Sequence, residues 1–310
     1  WGFFGILIST LLFISLGSKM MLLSNRIGSY SYQEFNTHLF GPFLGFFVNL
    51  FVFIVLFGVT SVMLSGTGAI FEEQLGLSYQ LGIMVTILLS YLVIKRGLDG
   101  LFLVNSLVVP IMLIFSLYIL IKVGWHEGGL TSITGFTSWK ESWTGWNWLV
   151  SGFTYVAFNL AMAQAVLVPM GKEIKHQRAL YWGGVAGGIV LGFMLVASHL
   201  ALHTFMPEAL EMDVPMAFVI KEIGVVILAL FLLVVYGEVF TTLIGNIFGL
   251  ARQIVNTFQL PENWTIIMLL LTSFVISQAG FTSLVSHLYP FFGYLGLVLL
   301  LFLAYKKIPA

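Results

Sequence analysis

Apolar residues gather along the chain in nine runs, at 1–23, 41–65, 79–94, 98–123, 148–170, 180–204, 224–250, 264–280 and 284–305. A bilayer core about 30 Å thick takes roughly 20 apolar residues in a helix, so the runs have the length of membrane spans. None alternates apolar and polar positions as a barrel strand does. Each is therefore read as a helix, which satisfies its own backbone within lipid.

Polar positions set the orientation. If the first run ends inside, ten of the thirteen basic residues, among them Lys95, Arg96, Lys172 and Arg252, fall on the cytoplasmic side. Lys122, Lys140 and Lys221 fall outside. That asymmetry is the positive-inside pattern. The outer side then carries a tryptophan-rich loop, "WHEGGLTSITGFTSWKESWTGWNW", whose rings suit an interfacial belt.

Composition sharpens the picture. The chain is 59% hydrophobic and 8% charged, against about a quarter charged in soluble domains. Thirteen basic residues balance thirteen acidic ones, so nothing points to nucleic acid, and the partners expected are the lipid bilayer and a small-molecule substrate. With no cysteine, disulfides and thiolate chemistry are excluded. Trp1 already lies inside an apolar run with no basic residues before it, which predicts a truncated amino terminus rather than a signal peptide.

The two halves resemble each other. "FGVTSVMLSG" aligns with "YGEVFTTLIG", placing Gly58 and Gly66 on Gly237 and Gly245 at an offset of 179 residues. "WGFFGILISTLLF" aligns with "WGGVAGGIVLGFM" at an offset of 181. Runs one to four then pair with runs six to nine in opposite orientation, as an inverted repeat requires. The fifth run has no partner, and its counterpart would precede Trp1. The expectation is an all-α polytopic protein of five plus five helices with the first missing, in one domain. Residues 1–123 are the remainder of the first repeat, 124–147 an outer loop and 148–310 the second repeat.

"WGFFGILISTLLFISLGSKMM", "YSYQEFN", "GFTYVAFNLAMAQAVLVPMG" and "YGEVFTT" together resemble the YkvI-type bacterial membrane proteins. That resemblance implies a LeuT-like fold, a multi-pass location in the bacterial inner or plasma membrane, and an amino acid permease-like activity. It also implies that runs two, five and seven line the substrate site, which adds Thr60 and Ser61 of run two as substrate candidates.

The residues themselves point to chemistry in two runs. Glu238 stands alone in "LLVVYGEVFTTLIGNIFGLAR", and a carboxylate at mid-membrane costs about 2.5 to 3.5 kcal/mol on insertion scales. Such a group either holds a cation or carries a proton. Thr241, Thr242 and Asn246 continue its helical face, an oxygen-rich stripe suited to a sodium ion or an ammonium group. The competing reading is a polar clamp between helices, with Glu238 bonded to a neighbour. The fifth run offers Gly152, Thr154, Tyr155 and Asn159 as substrate contacts, with a break expected near Ser151 and Gly152. His199 and His203 have metal-ligand spacing, but "HLALH" lacks the zinc-protease glutamate, so no metal is assigned. His287 is a further polar residue within a run.

The expected function is a secondary active transporter for an amino acid or similar small solute, with sodium or protons as coupling ion and no other cofactor. The alternative is a ligand-sensing receptor subunit of the same fold, germinant-receptor-like, without net flux. An enzyme is not expected, because no carboxylate dyad, cysteine nucleophile or zinc motif lies in the runs.

Overall fold

The computed structural model describes residues 2–125, 147–204, 220, 225–279 and 281–305. Among them nine helices follow the nine apolar runs. They are α1 (Gly2–Ile27), α2 (Tyr32–Ala69), α3 (Tyr79–Ile94), α4 (Gly97–Trp125), α5 (Asn147–Glu173), α6 (Gln177–Thr204), α7 (Val225–Phe258), α8 (Glu262–Ser277) and α9 (Phe281–Tyr305). By length and composition α1, α2, α4, α5, α6 and α7 are able to cross a membrane. α3 and α8, with 16 residues each, are shorter apolar helices.

Local sequence explains the boundaries. Ser31 caps α2 by accepting from the Glu34 amide at 3.3 Å, and the Glu34 carboxylate accepts from the Tyr30 amide at 2.8 Å, close to a capping box. The helix then breaks at Gly41, whose φ of 78° and ψ of 173° are open essentially to glycine alone, and Pro42 starts the next leg. The chain folds back there. Asn36 donates to Asn49 at 3.0 Å across the bend, although a straight helix would hold residues so spaced roughly 20 Å apart. The membrane leg of α2 thus begins where the apolar run begins.

Helix lengths repeat in order: 26 and 28 residues for α1 and α6, 38 and 34 for α2 and α7, 16 each for α3 and α8, and 29 and 25 for α4 and α9. This is the pairing expected of the inverted repeat, with α5 unmatched. The buried residues form two main blocks. One joins α2, α3, α7 and α8 through Leu56, Ile83, Leu243 and Leu270. The other joins α1, α5 and α9 through Leu16, Leu160 and Leu300.

Small residues let helices approach closely. On α6, Gly184, Gly188 and Gly192 form one face, and added Cβ atoms would meet Ser18, Ile14 and Thr10 of α1 at 2.2, 2.4 and 2.5 Å. The blocks touch where Gly249 of α7 meets Ala165 of α5 at 2.3 Å by the same measure.

Candidate functional site

Three cavities lie along α5 and α6. The outer one, about 420 Å³, is walled by Gly5, Ser9, Trp148, Gly152, Tyr155 and His199. The central one, about 310 Å³, lies between α4, α5, α6 and α7 and is lined by Phe115, Ser116, Tyr155, Ser198, Phe231 and Glu238. The inner one, about 350 Å³, contains Phe13, Asn159, Met170, Gly183, Gly187 and Leu191. Tyr155 and Leu195 border both outer and central cavities, and Leu191 both central and inner. Phe13 meets Tyr155 edge-on with ring centroids 5.8 Å apart, beside the junction.

Glu238 projects from the middle of α7 into the central cavity. Its carboxylate has no hydrogen-bond or ion-pair partner among the described residues. Thr241 and Thr242 lie on the same face, but their hydroxyls donate to the Glu238 main-chain carbonyl at 3.0 and 2.9 Å. They tie themselves to the helix while retaining acceptor lone pairs. Asn246 departs from the stripe: it is 4% exposed, its Nδ2 has no partner among the described residues, and it lines none of the three cavities.

α5 supplies the opposite wall. Tyr155 is 38% exposed although it lies within the span, because its ring faces cavity space. Asn159, one turn on, donates to the Tyr155 carbonyl at 2.8 Å and lines the inner cavity instead. Gly152 borders the outer cavity. Thr154 donates to the carbonyls of Val150 and Ser151 and lies against Gly293 of α9, away from all three cavities. Thr60 and Ser61 are buried in α2 and return their hydroxyls to the carbonyls of Leu56 and Phe57 at 2.6 and 3.0 Å. The structure does not bring them to the cavities.

The helix break expected near Ser151 and Gly152 is absent: α5 is helical from Asn147 to Glu173. Gly152 serves close approach instead, since its Cβ would stand 3.3 Å from the Gly5 carbonyl, and the Ser9 hydroxyl donates to the Gly152 carbonyl at 3.3 Å. The irregular backbone lies opposite, in a π turn of α1 over Phe13–Gly17. Sequence reasoning also missed the walls from α4 and α6. Ser116 and Ser198, hydroxyls within apolar runs, were the available signal. The side chains of His203 and His287 lie outside the described residues.

A polar cluster closes the end of the molecule where basic residues gather. Lys172 donates to the Gly28 carbonyl at 2.5 Å, and Asn25 donates to the carbonyls of Gly171 and Ile174 at 2.8 and 3.0 Å. Tyr30 donates to Glu173, and the Arg252 guanidinium lies 4.8 Å from the Tyr30 ring centroid. Partial burial, then the bond to Glu173, pushes the Tyr30 phenol up to about 12.

No protein-family model matches the chain. It is 41% identical over 312 residues to the uncharacterized membrane protein YkvI of Bacillus subtilis (strain 168), covering 100% of this chain and 87% of that one. The chain belongs to the YkvI family. A second relative in the same organism, the uncharacterized protein YyaD, is 24% identical and covers 97% of this chain and 88% of its own length. Among solved structures, MhsT in complex with L-phenylalanine superposes with a TM-score of 0.67 at 13% identity, covering 91% of this chain and 73% of that chain. This YkvI-family chain therefore has the LeuT-like fold its sequence implied, and it is a multi-pass bacterial membrane protein.

Proposed function

We propose that this YkvI-family protein is a secondary active transporter of a small organic solute, moved by alternating access and driven by sodium or protons. The carrying observation is Glu238: a carboxylate facing the central cavity, across from Tyr155, with no counter-ion among the described residues. A group so placed takes a cation or a proton. The clamp reading would give Glu238 a bonded neighbour, and none is found among the described residues. MhsT binds L-phenylalanine in its crystal structure, which supports a solute of amino-acid size.

In this reading Tyr155 and Asn159 contact the solute at successive stages of its passage. Glu238, with lone pairs of Thr241 and Thr242, holds the coupling ion or the solute's ammonium group. The test is uptake into proteoliposomes carrying the full-length protein, under imposed sodium or proton gradients. Accumulation that collapses with the gradient supports the transporter. Ligand binding without flux under either gradient contradicts it and favours a sensor.

A further inference from the structure

A groove of about 400 Å³ runs between α3 and α8 and shares no lining residue with the three cavities along α5 and α6. The two helices are antiparallel and pinned at one end, where Tyr79 donates to the Ser277 carbonyl at 2.9 Å and Gln80 donates to Gln278 at 2.8 Å. Beyond that pin the walls are Met84, Leu88 and Tyr91 of α3 and Ile267, Leu271 and Phe274 of α8. Leu270, 2% exposed, forms the floor, while Met84 and Leu88, 61% exposed each, leave the rim open.

The other end of the groove is basic. Met84, Leu88, Tyr91 and Lys95 recur every three or four residues and so share one face of α3. The Lys95 ammonium lies 5.6 Å from the Tyr91 ring centroid, which sets a cation at the mouth of an apolar channel. Arg96 adjoins it in the turn before α4, and both side chains are exposed. Asp99 follows on α4 and offsets one of these two charges, leaving the turn positive. Glu262, the acid at that end of α8, stands roughly 130° around the helix from the middle of the lining face, and its charge acts on Tyr30. Trp264, 66% exposed one turn before Ile267, suits the membrane interface.

Length adds to charge. α3 and α8 have 16 residues each, so each rises only about 24 Å against a hydrocarbon core of about 30 Å. Short spans draw the headgroup layer inward and let flanking basic side chains reach it. Helices that pack together in lipid approach through small residues, whereas these walls are large side chains around a narrow channel, which suits a flexible chain. A second copy docked by a two-fold would also set Lys95 and Arg96 against their own counterparts.

We propose that this groove is a site for an anionic glycerophospholipid, with one acyl chain between α3 and α8 and the phosphate on Lys95 and Arg96. The site stands apart from the solute cavities and does not depend on the transporter reading.

The experiment places full-length protein in phosphatidylcholine nanodiscs containing a small fraction of phosphatidylglycerol with a diazirine on one acyl chain. A second sample carries the same diazirine chain on phosphatidylcholine. After irradiation, adducts on α3 and α8 are mapped by mass spectrometry and scaled to those on the exposed Leu107 and Ile114 of α4. The phosphatidylglycerol probe is expected to label the groove roughly fivefold more than the phosphatidylcholine probe, the ratio a basic group at a membrane surface supplies. Lys95→Gln combined with Arg96→Gln should remove that preference. Leu88→Trp, at an exposed position, should fill the groove and cut its labelling by both probes. Equal labelling by the two probes in wild type means ordinary lipid contact and overturns the proposal. Labelling by neither means that a second copy or another segment of the chain covers the groove, and overturns it too. A preference that survives loss of both basic groups, or labelling unchanged by Leu88→Trp, does the same.

Discussion

Glu238 and Gly41 show how much a single residue determines here. Gly41 occupies backbone space that a side chain closes, so Gly41→Ala should lower stability by about 1–3 kcal/mol, read by thermal unfolding in detergent. A loss well under 1 kcal/mol would mean that the bend between Asn36 and Asn49 tolerates another geometry. Glu238 was legible because an isolated carboxylate in an apolar run has few explanations. Its relation to Tyr155 was not, because no spacing rule links α5 to α7 across a cavity. Thr60 and Ser61 show why hydroxyls mislead within a span. Each bonds the carbonyl four residues back, a bond any apolar helix supplies, so a hydroxyl alone does not mark a site.

At the scale of elements, α1 meets α5 at several close contacts along its length. At the basic end a Cβ on Gly171 would stand 2.5 Å from the Met21 carbonyl and 2.9 Å from Ser24 Cβ. Gly171→Ala should therefore force the helices apart and cost about 1–3 kcal/mol, seen as a lowered Tm. Nearby, Tyr30 is neutral in the fold up to about pH 12 and would titrate near 10 when unfolded. Its raised value contributes stability that is fully present below pH 10 and is lost as pH rises through 12. Tyr30→Phe should remove that segment of the pH–stability curve and leave the curve below pH 9 parallel to wild type. Further along α1, Phe13 lies edge-on to Tyr155 between the central and inner cavities. Phe13→Ala should raise the rate of solute exchange severalfold by joining them, measured as counterflow in proteoliposomes. The π turn that carries Phe13 had no sequence signal, because such turns arise from packing against neighbours as much as from residue type. The glycine expected to break α5 proved to be a contact surface for α1, and sequence does not tell these uses apart.

At the scale of the whole molecule, the described residues group into a block of α2, α3, α7 and α8 with the start of α4, and a block of α1, α5 and α9 with the first turns of α2; Val55 and Val59 of α2 pack on Phe158 of α5 and Phe292 of α9 between them, and α6 is seated on α1 through its glycine face. Glu238 belongs to the first block and Tyr155 to a helix of the second, so relative motion of the blocks would change the width of the central cavity. The nine runs were readable from hydropathy, since lipid imposes length and polarity directly on sequence. The partition into blocks was not, because every helix is apolar and pattern alone does not reveal which faces meet. The cavity's alternating access is the claim on which the account depends. Because the chain has no cysteine, single-cysteine variants test it directly. Ser198→Cys in the central wall and Thr60→Cys in the packed interior of α2 would be exposed to a membrane-impermeant maleimide from each side, with and without a coupling-ion gradient. Ser198→Cys is expected to react, from a side that the gradient switches, while Thr60→Cys stays unreactive. A Ser198→Cys protein that reacts from neither side, or from one side irrespective of gradient, would contradict it.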